Sequence, residues 1–154
     1  LRIDTSMLIR GSCGIARPLG EEGKLSAYLR DGETTRLRRR LEADAKSLLA
    51  LYEYGRLHHA VRLRWGFLDE MIPAPWAHRD EPGLYELLSR AHGRGEAIEV
   101  VAGSAPGWSD PWSRALRCQV EDDGSGYALW LVDEDGLPVD ECEVQLARLA
   151  PATP

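Results

Sequence analysis

Beyond about residue 96 the chain loses helical periodicity and breaks into short alternating runs, 115–121, 127–133 and 142–149. Two turn clusters divide them, Asp122-Asp123-Gly124-Ser125-Gly126 and Asp133-Glu134-Asp135-Gly136-Leu137-Pro138. Side chains alternate across a strand, and short glycine-containing connections fold such runs back as an antiparallel meander. An earlier run, 97–102, carries the β-branched Ile98, Val100 and Val101 and adds a further strand. In 115–121 the inward set is Leu116, Cys118 and Val120. In 127–133 both faces are apolar, Tyr127, Leu129 and Leu131 on one and Ala128, Trp130 and Val132 on the other. That pattern predicts a central strand covered on both sides.

The first ninety residues read differently. The run 7–15 is a short apolar stretch ending at glycine, which predicts a strand. Thr34 or Thr35 can cap a helix, after which Leu37, Leu41, Ala45, Leu48 and Tyr52 recur on one helical face. Gly55 interrupts, and Leu57, Val61, Trp65 and Leu68 resume the spacing until Ile72-Pro73-Ala74-Pro75. A single helix over 35–72 would span about 57 Å. That is long for so small a chain, so a break or bend at Gly55 is expected. Pro82 suits a first helical turn, Leu84, Leu87, Leu88 and Ala91 form an apolar stripe, and Gly93 suits the end. The fold class expected is α+β: a mainly helical part over 1–92, packed on or beside a small C-terminal antiparallel β-barrel or curved meander sheet over 93–154.

Charge is unevenly spread. Residues 35–72 hold eight basic and five acidic side chains, net +3, whereas 93–154 hold four basic and twelve acidic, net −8. Opposite fields of this kind steer a charged partner or attract each other across an internal interface. No apolar run approaches the length of a membrane span, and the opening Leu1-Arg2-Ile3-Asp4-Thr5-Ser6 lacks a signal-peptide core. A soluble, cytoplasmic protein with no membrane association is expected. Cys13, Cys118 and Cys142 are an odd count at unpatterned spacing, without C-x-x-C, so neither a disulfide framework nor a zinc site is indicated. Cys118 and Cys142 fall on apolar strand faces and read as buried thiols.

Candidate chemistry is sparse. Gly11-Ser12-Cys13-Gly14 places two small nucleophiles between glycines, as a tight catalytic turn does, but it is not G-x-S-x-G and no triad order is legible. His58 and His59 are adjacent on a helix and point about 100° apart, so they cannot share a metal. His78 and His92 have no companion acid or thiol at a recognisable spacing. Asp133-x-Asp135-Gly136 fails as a calcium loop, because positions one and twelve would be Leu131 and Cys142. No metal ion or cofactor is expected. Arg36, Arg38, Arg39 and Arg40, with Arg62 and Arg64, could meet phosphate, yet acids are interspersed and the β half is acidic. A nucleic-acid partner is therefore the weaker reading.

The tryptophans stand out. Trp108 and Trp112 lie in the Pro/Gly/Ser loop 103–112, and Trp130 lies on the central strand with Tyr127. Loop aromatics either fold back over the core or meet a ligand. The expected binding set is Trp108, Trp112, Tyr127 and Trp130 with the acidic turn residues Glu134 and Asp135. The partner expected is a protein.

Trp112-Ser113-Arg114-Ala115, Leu131-Val132-Asp133 and Leu146-Ala147-Arg148-Leu149 resemble, in turn, the opening of the first long strand, a strand end and the closing strand of a Tudor-type barrel, within the SH3-like group. The resemblance covers about forty residues. It implies a partner-binding barrel rather than a methyl-reading one, since Glu134-Asp135 replaces the aromatic that follows the aspartate in that family. The functional expectation is a non-enzymatic interaction or adaptor module. Its rivals are a small thiol or serine hydrolase using Cys13 or Ser12, and a nucleic-acid-associated protein.

Overall fold

In the computed structural model, residues 3–16, 19–20, 22–77, 82–103, 110–133 and 136–152 are described. Among these the order is α1 (Thr5–Cys13), α2 (Glu22–Arg30), α3 (Thr34–His58), β1 (Ala60–Trp65), β2 (Leu68–Pro73), α4 (Leu84–Arg94), β3 (Ile98–Ala102), β4 (Leu116–Asp122), β5 (Tyr127–Leu131), β6 (Pro138–Val139) and β7 (Val144–Leu149). The chain is α+β, with helices leading and an antiparallel sheet following. No helix among the described residues is long and apolar enough to cross a membrane.

The expected strand at 7–15 is instead helix α1. A short apolar run fits either state by periodicity, and local capping decides it. The Asp4 carboxylate accepts the Met7 N–H at 2.9 Å, and Gly14 closes the helix in the left-handed conformation. Ile9, Ser12 and Cys13 then share one buried face.

Helix α3 runs unbroken through Gly55, contrary to the expected break. The Trp76 ring lies across that glycine, where a Cβ would stand 2.1 Å from the ring edge. The inward face is not the apolar one read from the sequence. Leu51 and Tyr54 are buried together with Asp44 and Ser47, while Leu41, Leu48 and Tyr52 face solvent. Polar groups are tolerated inside because they are paired. Asp44 accepts the Gly20 N–H at 3.3 Å and meets Arg40 at 3.5 Å, and the Ser47 hydroxyl donates to Ala43 O at 3.0 Å.

Past His59, which caps α3 at φ 53°, the expected helical continuation to residue 72 is a β-hairpin. Strands β1 and β2 pair from Ala60↔Pro73 to Trp65↔Leu68 around a two-residue turn, Gly66-Phe67. The spacing Val61, Trp65, Leu68 satisfies a helix, but Val61, Leu63 and Trp65 satisfy a strand equally well. Glycine at the first central position of the turn decides for the hairpin.

The second sheet has the order β6-β5-β4-β3-β7, with a shift in register between Val101 and Ala102. A 3₁₀ turn, Glu141–Glu143, precedes β7. Leu84, Leu88 and Ala91 of α4 pack on Ile98, Val100, Cys118, Val120, Leu129 and Val144. Thus α4 shares its core with the sheet rather than with the helices before it. It also runs through Gly93 to a left-handed Gly95. Of the two alternatives for 127–133, Tyr127, Leu129 and Leu131 face this core.

A separate cluster of Ile9, Cys13, Leu51, Tyr54, Val61, Ala74 and Ala77 forms the N-terminal core. Hydrogen bonds join the two halves along β7. The Tyr54 hydroxyl donates to Cys142 O and the His58 Nε2 to Val144 O, each at 2.7 Å, and Gln145 Nε2 donates to Ser12 O at 2.7 Å.

Candidate protein-interaction surface

Strand β1 turns Val61 and Leu63 into the structure, and its opposite parity carries Arg62 and Arg64. Helix α1 lies against this strand so closely that the Ser12 hydroxyl accepts the Arg62 N–H at 2.8 Å. Arg62 is thereby buried, and its guanidinium is satisfied on several edges. Nε and Nη2 donate to the two Asp69 oxygens at 2.7 Å each, and Nη1 donates to Glu143 at 2.9 Å. Arg64 adds bonds to the same carboxylates at 3.2 and 3.3 Å. The hydrogen bonds from Arg62, and then from Arg64, hold the Asp69 carboxyl down at about 2. The forked geometry fixes the hairpin to the 3₁₀ turn at Glu143, and so to the sheet.

At the far end of this anchored hairpin stands an aromatic tip. Phe67 is wholly exposed and Trp65 is 51% exposed, with Leu68 beside them half-buried. Sequence reasoning missed both aromatics by assigning them to a helix. The signal was present: an alternating run, 60–65, followed by the two-residue turn Gly66-Phe67 and a second six-residue run closed by proline, matches the hairpin template.

The described members of the binding set read from the sequence are divided between the two faces of the second sheet. Trp108, Glu134 and Asp135 lie outside the described residues. Trp112, in a 3₁₀ turn, is half-buried under the Arg148 guanidinium, 4.0 Å from its ring centroid, and Arg148 also pairs with Glu99 at 2.7 Å. Tyr127 belongs to the opposite, α4-facing side, packed between Tyr85 (5.4 Å) and His92 (5.6 Å). Trp130 is half-buried, opposite Gln119, on the face away from α4. The acidic turn 122–126 uses its carboxylates internally. Asp123 accepts from the Ser125 amide and hydroxyl and from the Gly126 amide, all at 2.8 Å, and the Ser125 hydroxyl bond leads in lowering its pKa.

Five of the six arginines of the nucleic-acid reading are engaged in ion pairs as well, Arg40 with Asp44 among them. Arg36 meets Glu33 at 2.9 Å and Arg38 meets Glu42 at 2.8 Å, while Arg62 and Arg64 hold Asp69 and Glu143. Phosphate contacts would have to displace these carboxylates.

The nucleophile reading fares no better. Gly11-Ser12-Cys13 is the last turn of α1 rather than an exposed loop. Ser12 is occupied by the Arg62 backbone, and burial pushes the Cys13 thiol up to about 12. Burial likewise puts the Cys118 thiol at about 11. Cys142 is in the 3₁₀ turn rather than on a strand, and is only half-buried. It borders a cleft of about 430 Å³ with His58, His59 and Glu141. Its thiol too is raised, by burial and then by Asp140, so it is not an activated thiolate. His58 is stacked on Tyr54 at 4.2 Å, burial lowers its pKa, and Nε2 donates to Val144 O. A thiol-reactive probe at neutral pH is expected to label Cys142 slowly and alone in the folded chain. Cys13 and Cys118 should react only in denaturant, and rapid labelling of Cys13 would restore the hydrolase reading.

Comparison of the chain with known protein families, with characterised proteins and with solved structures finds no match.

Proposed function

We propose that this chain is a non-enzymatic protein-interaction or adaptor module whose principal contact is the β1–β2 tip, docking Phe67 and Trp65 into an apolar pocket of a protein partner. One observation carries this reading: a wholly exposed phenylalanine at a two-residue turn, on a hairpin whose base is fixed by a buried arginine. Leaving an aromatic ring in water forgoes about 2 kcal/mol of burial. Rigid aromatic anchors return that energy on binding, because little conformational entropy remains to be lost. Beside the tip Arg62 and Arg64 are balanced by Asp69, Glu70 and Glu143, which leaves no net basic charge to hold an anionic lipid surface and favours a protein as the occupant.

The test compares capture of host proteins by the wild-type chain with capture by Phe67→Ala and Trp65→Ala. A specific partner should be retained by the wild type and weakened about 30-fold or more by Phe67→Ala, a loss of roughly 2 kcal/mol. The thermal melt should be unchanged, since Phe67 buries nothing in the fold. Equal retention by all three chains, or co-sedimentation of the wild type with phosphatidylserine vesicles, would overturn the proposal.

A second surface is supported by the strand order. A meander with its last strand returning beside the first, and a 3₁₀ turn just before it, suits an SH3-like barrel of the partner-binding kind. The Arg148–Trp112 stack lies on its face away from α4. Trp112→Ala in the same capture assay separates the two surfaces, because the tip reading leaves it without effect.

A further inference from the structure

Helix α3 carries a second apolar side that nothing in the described fold covers. Leu41, Leu48, Leu49 and Tyr52, with Trp76 stacked on Tyr52 at 5.8 Å, are each between 40% and 58% exposed. Positions 41, 45, 48 and 52 are spaced by four, three and four, which is the 3.5-residue repeat of a helix-pairing seam. The face turned inward is a different one, centred on Asp44, Ser47, Leu51 and Tyr54. We infer that two copies of this chain pair antiparallel through the solvent-facing seam of α3, about a two-fold axis near residues 46–47.

Two features of the seam favour a second copy over another occupant. In that register Leu41 meets Tyr52 of the second copy and Ala45 meets Leu48 of the second copy, so every contact along the seam is apolar and is made twice by symmetry. Area is the second feature. At the roughly 150–250 Å² an aromatic side chain offers, these half-exposed residues leave on the order of 500 Å² per copy. Pairing would then bury about 1,000 Å², the lower bound for a specific interface. Antiparallel packing also sets the arginine-rich start of each helix beside the negative pole of its neighbour, relieving an unfavourable placement against its own dipole.

Sedimentation equilibrium tests this on the full chain, independently of the hairpin tip. A dimer is expected at about 100 µM protein, within reach of an interface of this size. Leu41→Glu with Leu48→Glu should yield a monomer with unchanged helical circular dichroism, as both side chains already stand half in water. A wild-type monomer at that concentration, or a doubly substituted chain that is still a dimer, would overturn the inference.

Discussion

Gly11→Ala is expected to destabilise the chain by about 3 kcal/mol or more, enough to unfold a marginal domain. The direction is the informative part. In an exposed helix interior the same substitution gains about 1 kcal/mol, because alanine loses less backbone entropy. Gly11, however, is the residue at which α1 touches β1. A Cβ there would stand 2.2 Å from Arg62 O and 2.8 Å from Arg64 N. Both are backbone atoms of strand β1, so neither can swing aside as a side-chain tip would. The helix must lift, and with it go the Ser12 bond to the Arg62 amide and the Gln145 bond to Ser12 O. Urea titration of the two proteins measures the difference. A variant as stable as the wild type would mean that α1 does not lie on this strand.

Replacing Arg62 with alanine should cost about 2 kcal/mol, because its buried stem and charge-assisted hydrogen bonds are lost while the Asp69 and Glu143 carboxylates left behind are about 40% exposed and regain water. Arg62 is 6% exposed, and its fork joins β2 to the turn before β7. Lysine cannot reproduce that fork, so Arg62→Lys should recover little of the loss. The linkage to pH has a definite sign. The Asp69 carboxyl sits at about 2 in the folded chain against 3.8 for the free group. Its contribution is therefore complete above about pH 4 and is lost as pH falls toward 2. Wild-type stability should fall across that window, and Asp69→Asn should flatten this part of the profile at the expense of overall stability. Because the same network anchors the aromatic tip, Arg62→Ala should also weaken partner capture, whereas Phe67→Ala weakens capture alone.

Much of the architecture was legible beforehand. The stripe Leu84, Leu88 and Ala91 specified α4 and its buried face, since one helix packed on one sheet leaves the apolar residues nowhere else to go. The alternation in 115–121 and 127–133 specified β4 and β5 and placed Cys118 and Val120 inward, whereas Leu116 of the same expected set stands exposed. The errors cluster where two periods coincide. Val61, Trp65 and Leu68 fit a helix and a strand equally, and the run at 7–15 is too short for periodicity to choose. Local chemistry chose in both places, through the Asp4 cap and the Gly66-Phe67 turn. The surface was less legible than the fold, because exposure depends on what packs over a side chain. Trp112 and Tyr127 read as available and are partly covered, while Trp65 and Phe67 read as helical and stand in water.

By itself the sequence determined the chain's α+β class, the inward face of α4 and the β4–β5 hairpin. Those properties follow from spacing along a single segment. Only the tertiary structure decided which side of α3 is buried, that Arg62 lies inside, and that β7 returns beside β3 rather than β5. Each of these depends on partners distant in the chain. Gly20 and Arg40 satisfy Asp44, Asp69 and Glu143 neutralise Arg62, and no local pattern encodes that pairing. A charged or polar group goes inside where its counterpart is waiting, and an apolar one stays outside where the core is already full.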